Sequence, residues 1–212
     1  MLPAYRTVKQ PSEARLEINK SLFIAYVTPA DTEETAAQFI EEIKKRHKEA
    51  NHNCSAYVIG QHGQYQKADD NGEPSGTAGK PILEVLLKSG VKNAVIVVTR
   101  YFGGIKLGAG GLIRAYTKAA ADGLEAAAII EKQLHTRMII SLDYSLLGTM
   151  ENQLRLHNYP IENKEFTDVV KIAALVRRGE EEQLRELIAD CTAAKATIKI
   201  AGELYLDAEL EK

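Results

Sequence analysis

The sequence predicts an α+β protein of two domains, and three observations predict it. The chain has 212 residues, room for one large domain or two small ones. Along most of its length, β-branched runs alternate with charged or alanine-rich stretches of helical period. From residue 135 onward the order reads β-α-β-β-α-β, that of a ferredoxin-like split βαβ unit. The boundary is expected near Leu134, giving domains over residues 1–134 and 135–212.

The elements follow in chain order. Residues 13–28 mix alternation with aromatic and β-branched side chains and read as one bent strand or a strand pair. Asp31, with Glu34 three residues on, predicts a capping box opening a helix that runs to about residue 50. Ala36, Phe39, Ile40 and Ile43 form its apolar stripe. Residues 53–60 read as a strand, 61–64 as a hairpin turn at Gly63, and 65–68 as the returning strand. Residues 69–79 are too rich in Gly, Pro and Asp for regular structure. Pro81 fits the first position of a helix ending near Ser89. The run AVIVVTRY at 94–101 reads as a buried strand. Residues 103–111 read as a loop, and 112–132 as an alanine-rich helix. In the second domain, strands are expected at 135–144, 159–165, 167–177 and 196–207. Helices are expected from a Ser145 cap to 158 and over 179–192.

Composition narrows the function. Apolar residues make up 45% and charged residues 26%, as in globular proteins rather than disordered ones. No apolar run approaches the roughly 20 residues of a membrane span. The start, MLPAYRTVKQ, lacks the apolar core of a signal peptide, so the expected compartment is the cytoplasm. Cys54 and Cys191 are the two cysteines. They form no C-x-x-C pair and are expected to be reduced. Net charge is −2, yet no acid stands between Glu84 and Asp122, where Lys88, Lys92, Arg100, Lys106, Arg114 and Lys118 all lie. Such a stretch makes a local positive field unless its charges scatter over several faces.

Two segments carry the candidate chemistry. The first is Asp69-Asp70-Asn71-Gly72-Glu73-Pro74-Ser75-Gly76-Thr77-Ala78-Gly79. It feeds a helix whose free N–H groups suit an anion. Ser75 and Thr77 add hydroxyls, and Asp70 and Glu73 add carboxylates. The same composition also builds a self-satisfied Asx turn. Gly79-Lys80 does not complete a phosphate P-loop, because Pro74 and Pro81 stand where Gly and Ser or Thr are required. The second segment runs from Tyr101 to Gly111 and contains Gly103, Gly104, Lys106, Gly108, Gly110 and Gly111. Arg100 precedes it. Arg114 and Lys118 follow four apart on one helical face. This arrangement suits a phosphate or RNA-backbone site. It is not the dinucleotide fingerprint, since Ile113 replaces the third glycine. His52 and Cys54 share one side of a strand and read as core or loop-edge structure. No metal-ligand cluster is apparent, and no catalytic residue is assigned.

The strings His52-Asn53-Cys54-Ser55-Ala56-Tyr57, GEPSGTAG (72–79) and TRYFGGIKLGAGGLIRAY (99–116) resemble the IMPACT family in its bacterial branch. The resemblance extends through a small C-terminal domain over nearly the whole chain. It implies an N-terminal domain with the fold of domain IV of elongation factor G, followed by a ferredoxin-like domain. It also implies a link to translation. One departure is visible: the family usually reads Asp-Asp-Gly-Glu-Pro, and here Asn71 precedes Gly72.

Together these features predict a translation-associated regulatory protein with no cofactor. It would bind RNA, the ribosome or a ribosome-bound partner through Asp70, Glu73, Ser75, Thr77, Arg100, Gly103, Gly104, Lys106, Gly108, Gly110, Gly111 and Arg114. A binding module is expected rather than an enzyme. Two other readings stay open: a protein-interaction module without nucleic acid, and a nucleotide- or phosphate-binding enzyme using the loop 103–111.

Overall fold

The structure, a computed structural model, describes residues 1–209. It divides into two compact units, Tyr5–Glu131, and Lys132–Asp207 together with Met1–Ala4. The order is β1 (Ala4–Val8), β2 (Ser12–Ile18), β3 (Ser21–Pro29), α1 (Glu33–Arg46), β4 (His52–Ile59), β5 (Tyr65–Asp69), α2 (Gly79–Lys88), β6 (Ala94–Tyr101) and α3 (Gly108–Ala127). It continues with β7 (Ile129–Leu142), α4 (Leu147–Leu156), β8 (Ile161–Phe166), β9 (Val170–Arg177), α5 (Glu181–Thr192) and β10 (Thr197–Glu209).

In the first unit the sheet order is β2-β3-β6-β4-β5, and every pairing is antiparallel. Strand alternation splits its side chains between two faces. Phe23, Ala25, Cys54, Ala56, Ile96 and Val98 pack against α2 and α3. Ile24, Tyr26, Tyr57, Val95 and Val97 face the other way, onto α1. β6 is buried on both faces, which explains its unbroken β-branched run. Its α2/α3 face reads Ala94, Ile96, Val98 and then Arg100, so a buried arginine ends an apolar row.

In the second unit β7 pairs with β9 and β10, and β9 with β8, giving the order β10-β7-β9-β8. Met150 and Leu154 of α4 and Leu184 and Ile188 of α5 share one core with Met138, Ile140, Ile172 and Ala174 of the sheet. This is the ferredoxin-like arrangement expected from the pattern, and the α+β class holds for the chain.

Of the two readings of residues 13–28, the strand pair holds: β2 and β3 are joined by Asn19 and Lys20 at φ 47° and 63°, as a two-residue hairpin turn requires. Several other local expectations are corrected. The capping box of α1 belongs to Thr32 and Thr35, not to Asp31 and Glu34, and α1 stops at Arg46. Pro81 is the third residue of α2, where a missing N–H still costs no intrahelical bond. α3 starts at Gly108, four residues before the expected point, and ends at Ala127, where Ala128 turns the chain at φ 55° into β7. Asp143, not Ser145, caps the turn that opens α4. β1 had no counterpart in the sequence reading; it is short and flanked by Pro3 and Pro11.

Candidate functional site

The two glycine-rich segments meet at one cleft of about 360 Å³ in the first unit. Glu73 and Pro74 come from the first segment. Phe102, Lys106 and the start of α3, Leu107–Ala109, come from the second. Arg100 and His52 supply part of the wall from adjacent strands, because the register sets His52 beside Arg100 and Phe23 on Arg100's other side.

Beneath the cleft lies a buried ionic network. Arg100 Nη1 donates to Glu73 Oε1 at 2.7 Å, with the two side chains 7% and 2% exposed. The Tyr116 hydroxyl donates to the same oxygen at 2.8 Å. Arg100 is held between the rings of Phe23 and Phe102, its Cζ 5.4 Å from each centroid, a cation–π clamp in a desolvated place. Arg100 Nε is buried and has no acceptor among the described residues. His52 Nδ1 donates to the Asn71 carbonyl at 2.9 Å, so in the neutral ring Nε2 is the unprotonated nitrogen. That nitrogen is 3.9 Å from Glu73 Oε2.

Cys54 is part of this network. Its Sγ lies 2.9 Å from the Asp70 carbonyl and 3.4 Å from the Tyr116 hydroxyl. Burial, with Asp70, Glu73 and Asp69 nearby, pushes the thiol up to about 12, far from the activated range. Burial first, and then Cys54 and Glu73, drive the Tyr116 hydroxyl upward as well.

The first segment satisfies itself to a degree the sequence did not disclose. The Asp70 carboxylate accepts from the amides of Gly76, Ala78 and Gly79 at 2.7, 3.0 and 2.8 Å. The N-terminus of α2 therefore already holds an anion, and that anion is Asp70. Burial alone would raise the Asp70 carboxyl, but these amide bonds outweigh it and hold it below its ordinary value. The Thr77 hydroxyl donates to the Pro74 carbonyl at 2.7 Å. Ser75 is exposed on the same loop. Asn71 has φ 42°, a conformation Asn tolerates well. Its Oδ1 accepts from the Asn53 amide at 2.8 Å, and its own amide donates to Asp69 Oδ1. Here the amide side chain ties the loop to β4 without a charge.

The second segment is the opposite case. Leu107 precedes α3 without a side-chain cap, and the first turn carries no acid, so its leading N–H groups have no intrahelical partner. Gly103 is a close-approach glycine: a Cβ there would lie 2.0 Å from the Lys20 backbone. Gly108 has φ 69°, which itself favours glycine. Gly104 sits at φ 86° in open space, and Gly111 packs on Leu107. Gly110 has neither reason to be glycine: its φ is helical and the nearest atom to an added Cβ is Arg114 Nη1 at 3.7 Å.

The acid-free stretch is narrower in charge than its composition suggests. Lys88 pairs with Glu84, Lys118 with Asp122, and Arg100 with Glu73. Lys92 precedes β6 at the end remote from the cleft. Lys106 and Arg114 are exposed and have no ion pair among the described residues. Of the expected binding residues, Glu73, Arg100, Lys106 and Gly108 line the cleft. Asp70 and Thr77 are turned into their own loop. The sequence reading passed over Phe102, which is 44% exposed at the cleft, and Tyr116. Their signals were the aromatic after Arg100 and the helical spacing of Leu112 and Tyr116 toward the sheet.

Among the described residues no cluster of His, Cys, Asp and Glu has metal-binding geometry. No described helix is long and apolar enough to cross a membrane. A larger hollow of about 530 Å³ in the second unit lies at α4 and β8; there Lys164 pairs with Glu151, and Arg155 donates to the Asn152 amide oxygen.

Known proteins resemble the chain along its whole length. Residues 19–124 match the Impact N-terminal domain, and residues 140–195 match a domain of unknown function, DUF1949. The IMPACT family member YvyE of Bacillus subtilis is 46% identical over 207 residues, covering 98% of this chain and 95% of that protein. The IMPACT family member YigZ of Escherichia coli is 34% identical, covering 82% and 86%. The Protein IMPACT homolog of Saccharomyces cerevisiae is 36% identical over 93 residues, which is 42% of this chain and 35% of that protein. A solved structure, titled as the crystal structure of a hypothetical protein, superposes with a TM-score of 0.61 at 30% identity, covering 95% of this chain and 99% of that one.

Proposed function

This chain belongs to the IMPACT family, and from that premise we propose that it is a translation-associated regulatory protein that binds RNA, free or in the ribosome, through the first-unit cleft. Family membership suggests the regulatory role in translation; the RNA contact is read from the site. The observation that carries it is the uncapped, acid-free start of α3 opening on a cleft beside exposed Phe102 and Lys106, which has no ion pair among the described residues. Such a combination suits a polyanion with bases to stack. Arg114, six residues into α3, extends the positive edge. The role places the protein in the cytoplasm and asks for no cofactor. The carboxylates of the first segment shape the cleft and do not act in chemistry on this reading.

The test is fluorescence anisotropy with a labelled single-stranded RNA and with purified ribosomal subunits. With about two phosphates neutralised, a fourfold rise in salt weakens RNA binding about sevenfold. Changing both Lys106 and Arg114 to Ala flattens that slope and lowers affinity. Absence of salt-sensitive binding to either RNA or subunits refutes the proposal.

A further inference from the structure

The floor of the cleft holds two hydrogen-bond acceptors side by side with no donor between them. His52 Nδ1 donates to the Asn71 carbonyl at 2.9 Å, which leaves Nε2 of the neutral ring as an acceptor. Glu73 Oε1 is filled by Arg100 Nη1 and the Tyr116 hydroxyl, and no hydrogen bond reaches Oε2 among the described residues. His52 Nε2 and Glu73 Oε2 are 3.9 Å apart, beyond hydrogen-bond length, whereas the true ion pair of the same carboxylate closes to 2.7 Å. Both residues line the cleft. The Glu73 side chain is 2% exposed. Yet Oε2 is not among the sealed and unsatisfied atoms, which among the described residues are Arg100 Nε and Arg137 Nε. The small open part of this side chain therefore includes its free oxygen.

The surroundings narrow what the missing donor is. Arg100 already neutralises Glu73, and Lys106 stands at the same cleft, so an ammonium would meet two cations. A single amino group sends its two N–H bonds apart and sets its acceptors about 5 Å from each other, too wide for this pair. Two neighbouring hydroxyls each serve one acceptor, and the closer spacing suits them. A carboxylate accepting from a ribose hydroxyl is the contact that dinucleotide-binding folds use. Phe102, exposed on the same cleft, offers its ring to an attached base.

We infer that the floor of the cleft binds the vicinal diol of a ribose, with His52 Nε2 and Glu73 Oε2 each accepting one hydroxyl hydrogen. The inference rests on the RNA-binding reading of this site and deepens it. Within an RNA strand the 3′-terminal ribose carries both hydroxyls free, so the ligand is a single-stranded 3′ end and not an internal stretch. A DNA end offers one of the two hydroxyls and leaves a buried acceptor unmet, which is the stronger ground for rejecting it. The cleft volume of about 360 Å³ lies within the range of small-ligand sites. A free nucleoside presents the same diol, and the experiment separates the two sources.

The experiment uses the full chain and three 5′-fluorescein ten-nucleotide single-stranded RNAs of one sequence, ending in a free diol, a 2′-deoxy residue or a 3′-phosphate. Anisotropy is expected to show the free diol bound about tenfold or more tighter than the other two. His52→Asn keeps an N–H for the Asn71 carbonyl and removes the Nε2 acceptor; it is expected to shrink that preference to about twofold or less. Glu73→Gln can keep an oxygen toward Arg100 and Tyr116 while turning an amide N–H to the cleft, and the same collapse is expected. Amide spectra check both folds, and His52→Asn alone decides if Glu73→Gln does not fold. Equal binding of the three termini, or a preference that either folded variant leaves intact, overturns the inference and leaves the RNA reading standing. Adenosine bound in preference to 2′-deoxyadenosine by isothermal titration, with no RNA bound, keeps the diol site and overturns the RNA reading. Binding of none overturns both.

Discussion

Replacing Glu73 with Ala is expected to cost the first unit about 4 kcal/mol. Glu73 and Arg100 have side chains 2% and 7% exposed and are joined at 2.7 Å. Removing one member of a buried pair leaves the other as an uncompensated charge, which costs about 3–5 kcal/mol. Arg100 would keep a 3.5 Å contact to Ser21 Oγ and the two aromatic rings, while its Nε already lacks an acceptor among the described residues. The Tyr116 hydroxyl also loses its acceptor, adding up to about 1 kcal/mol net. With a urea slope of about 2 kcal/mol per molar, the midpoint should fall by about 2 M. The chain has no tryptophan and two units, so a single optical probe would mix their transitions. A urea titration followed by two-dimensional NMR resolves each unit, with β9 amides as an internal control. The double change Glu73→Leu with Arg100→Met removes both charges and should recover most of the loss. A first-unit midpoint within about 0.5 M of the parent for Glu73→Ala, or a double variant no better than the single, refutes the assignment of this pair.

Two further predictions concern the loop that feeds α2. Asp70→Asn removes the charge that three amides hold and should destabilise the first unit by about 1–3 kcal/mol at pH 7. The Asp70 carboxyl is depressed in the folded state, so its stabilisation is present above the ordinary carboxylate value and is lost as pH falls through the lower folded value. Parent and variant midpoints should therefore converge as pH falls below the ordinary carboxylate value and through the lower folded one, as read by acid titration; a constant gap would contradict the assignment. Asn71→Asp should cost less than about 1 kcal/mol, because either side chain accepts from the Asn53 amide and tolerates φ 42°. Asn71→Ala should cost about 1–2 kcal/mol, since the Asn53 amide loses its acceptor and Ala strains at that φ. Equal denaturation midpoints for the two variants would count against this role.

What the sequence disclosed follows from how local each determinant is. The strand at 94–101 was legible because burial on both faces forces β-branched side chains along its whole length. The second unit was legible because period and turn chemistry repeat in a known order. The start of α3 was not, because Gly108, Gly110 and Gly111 read as loop by propensity, whereas packing of Leu112, Ala115 and Tyr116 on the sheet carries the helix back through them. The cap of α1 passed from Asp31 to Thr32 by one residue, a shift no periodicity fixes.

At the site, both glycine-rich segments were legible as segments, and their meeting was not. It depends on β4 and β6 pairing in the register His52↔Arg100. The inward roles of Asp70 and Thr77 were hidden for a different reason. The same carboxylate and hydroxyl that suit a ligand also suit nearby amides and carbonyls, and loop geometry decides between them.

RNA binding at the first-unit cleft is tested most directly by an amide NMR titration of the full chain with a single-stranded ten-nucleotide RNA. The largest shifts are predicted at the amides of Gly108, Ala109, Gly110 and Gly111, with the α2 amides held by Asp70 little changed. Shifts confined to other surfaces, or none at the first turn of α3 at saturating ligand, would contradict it.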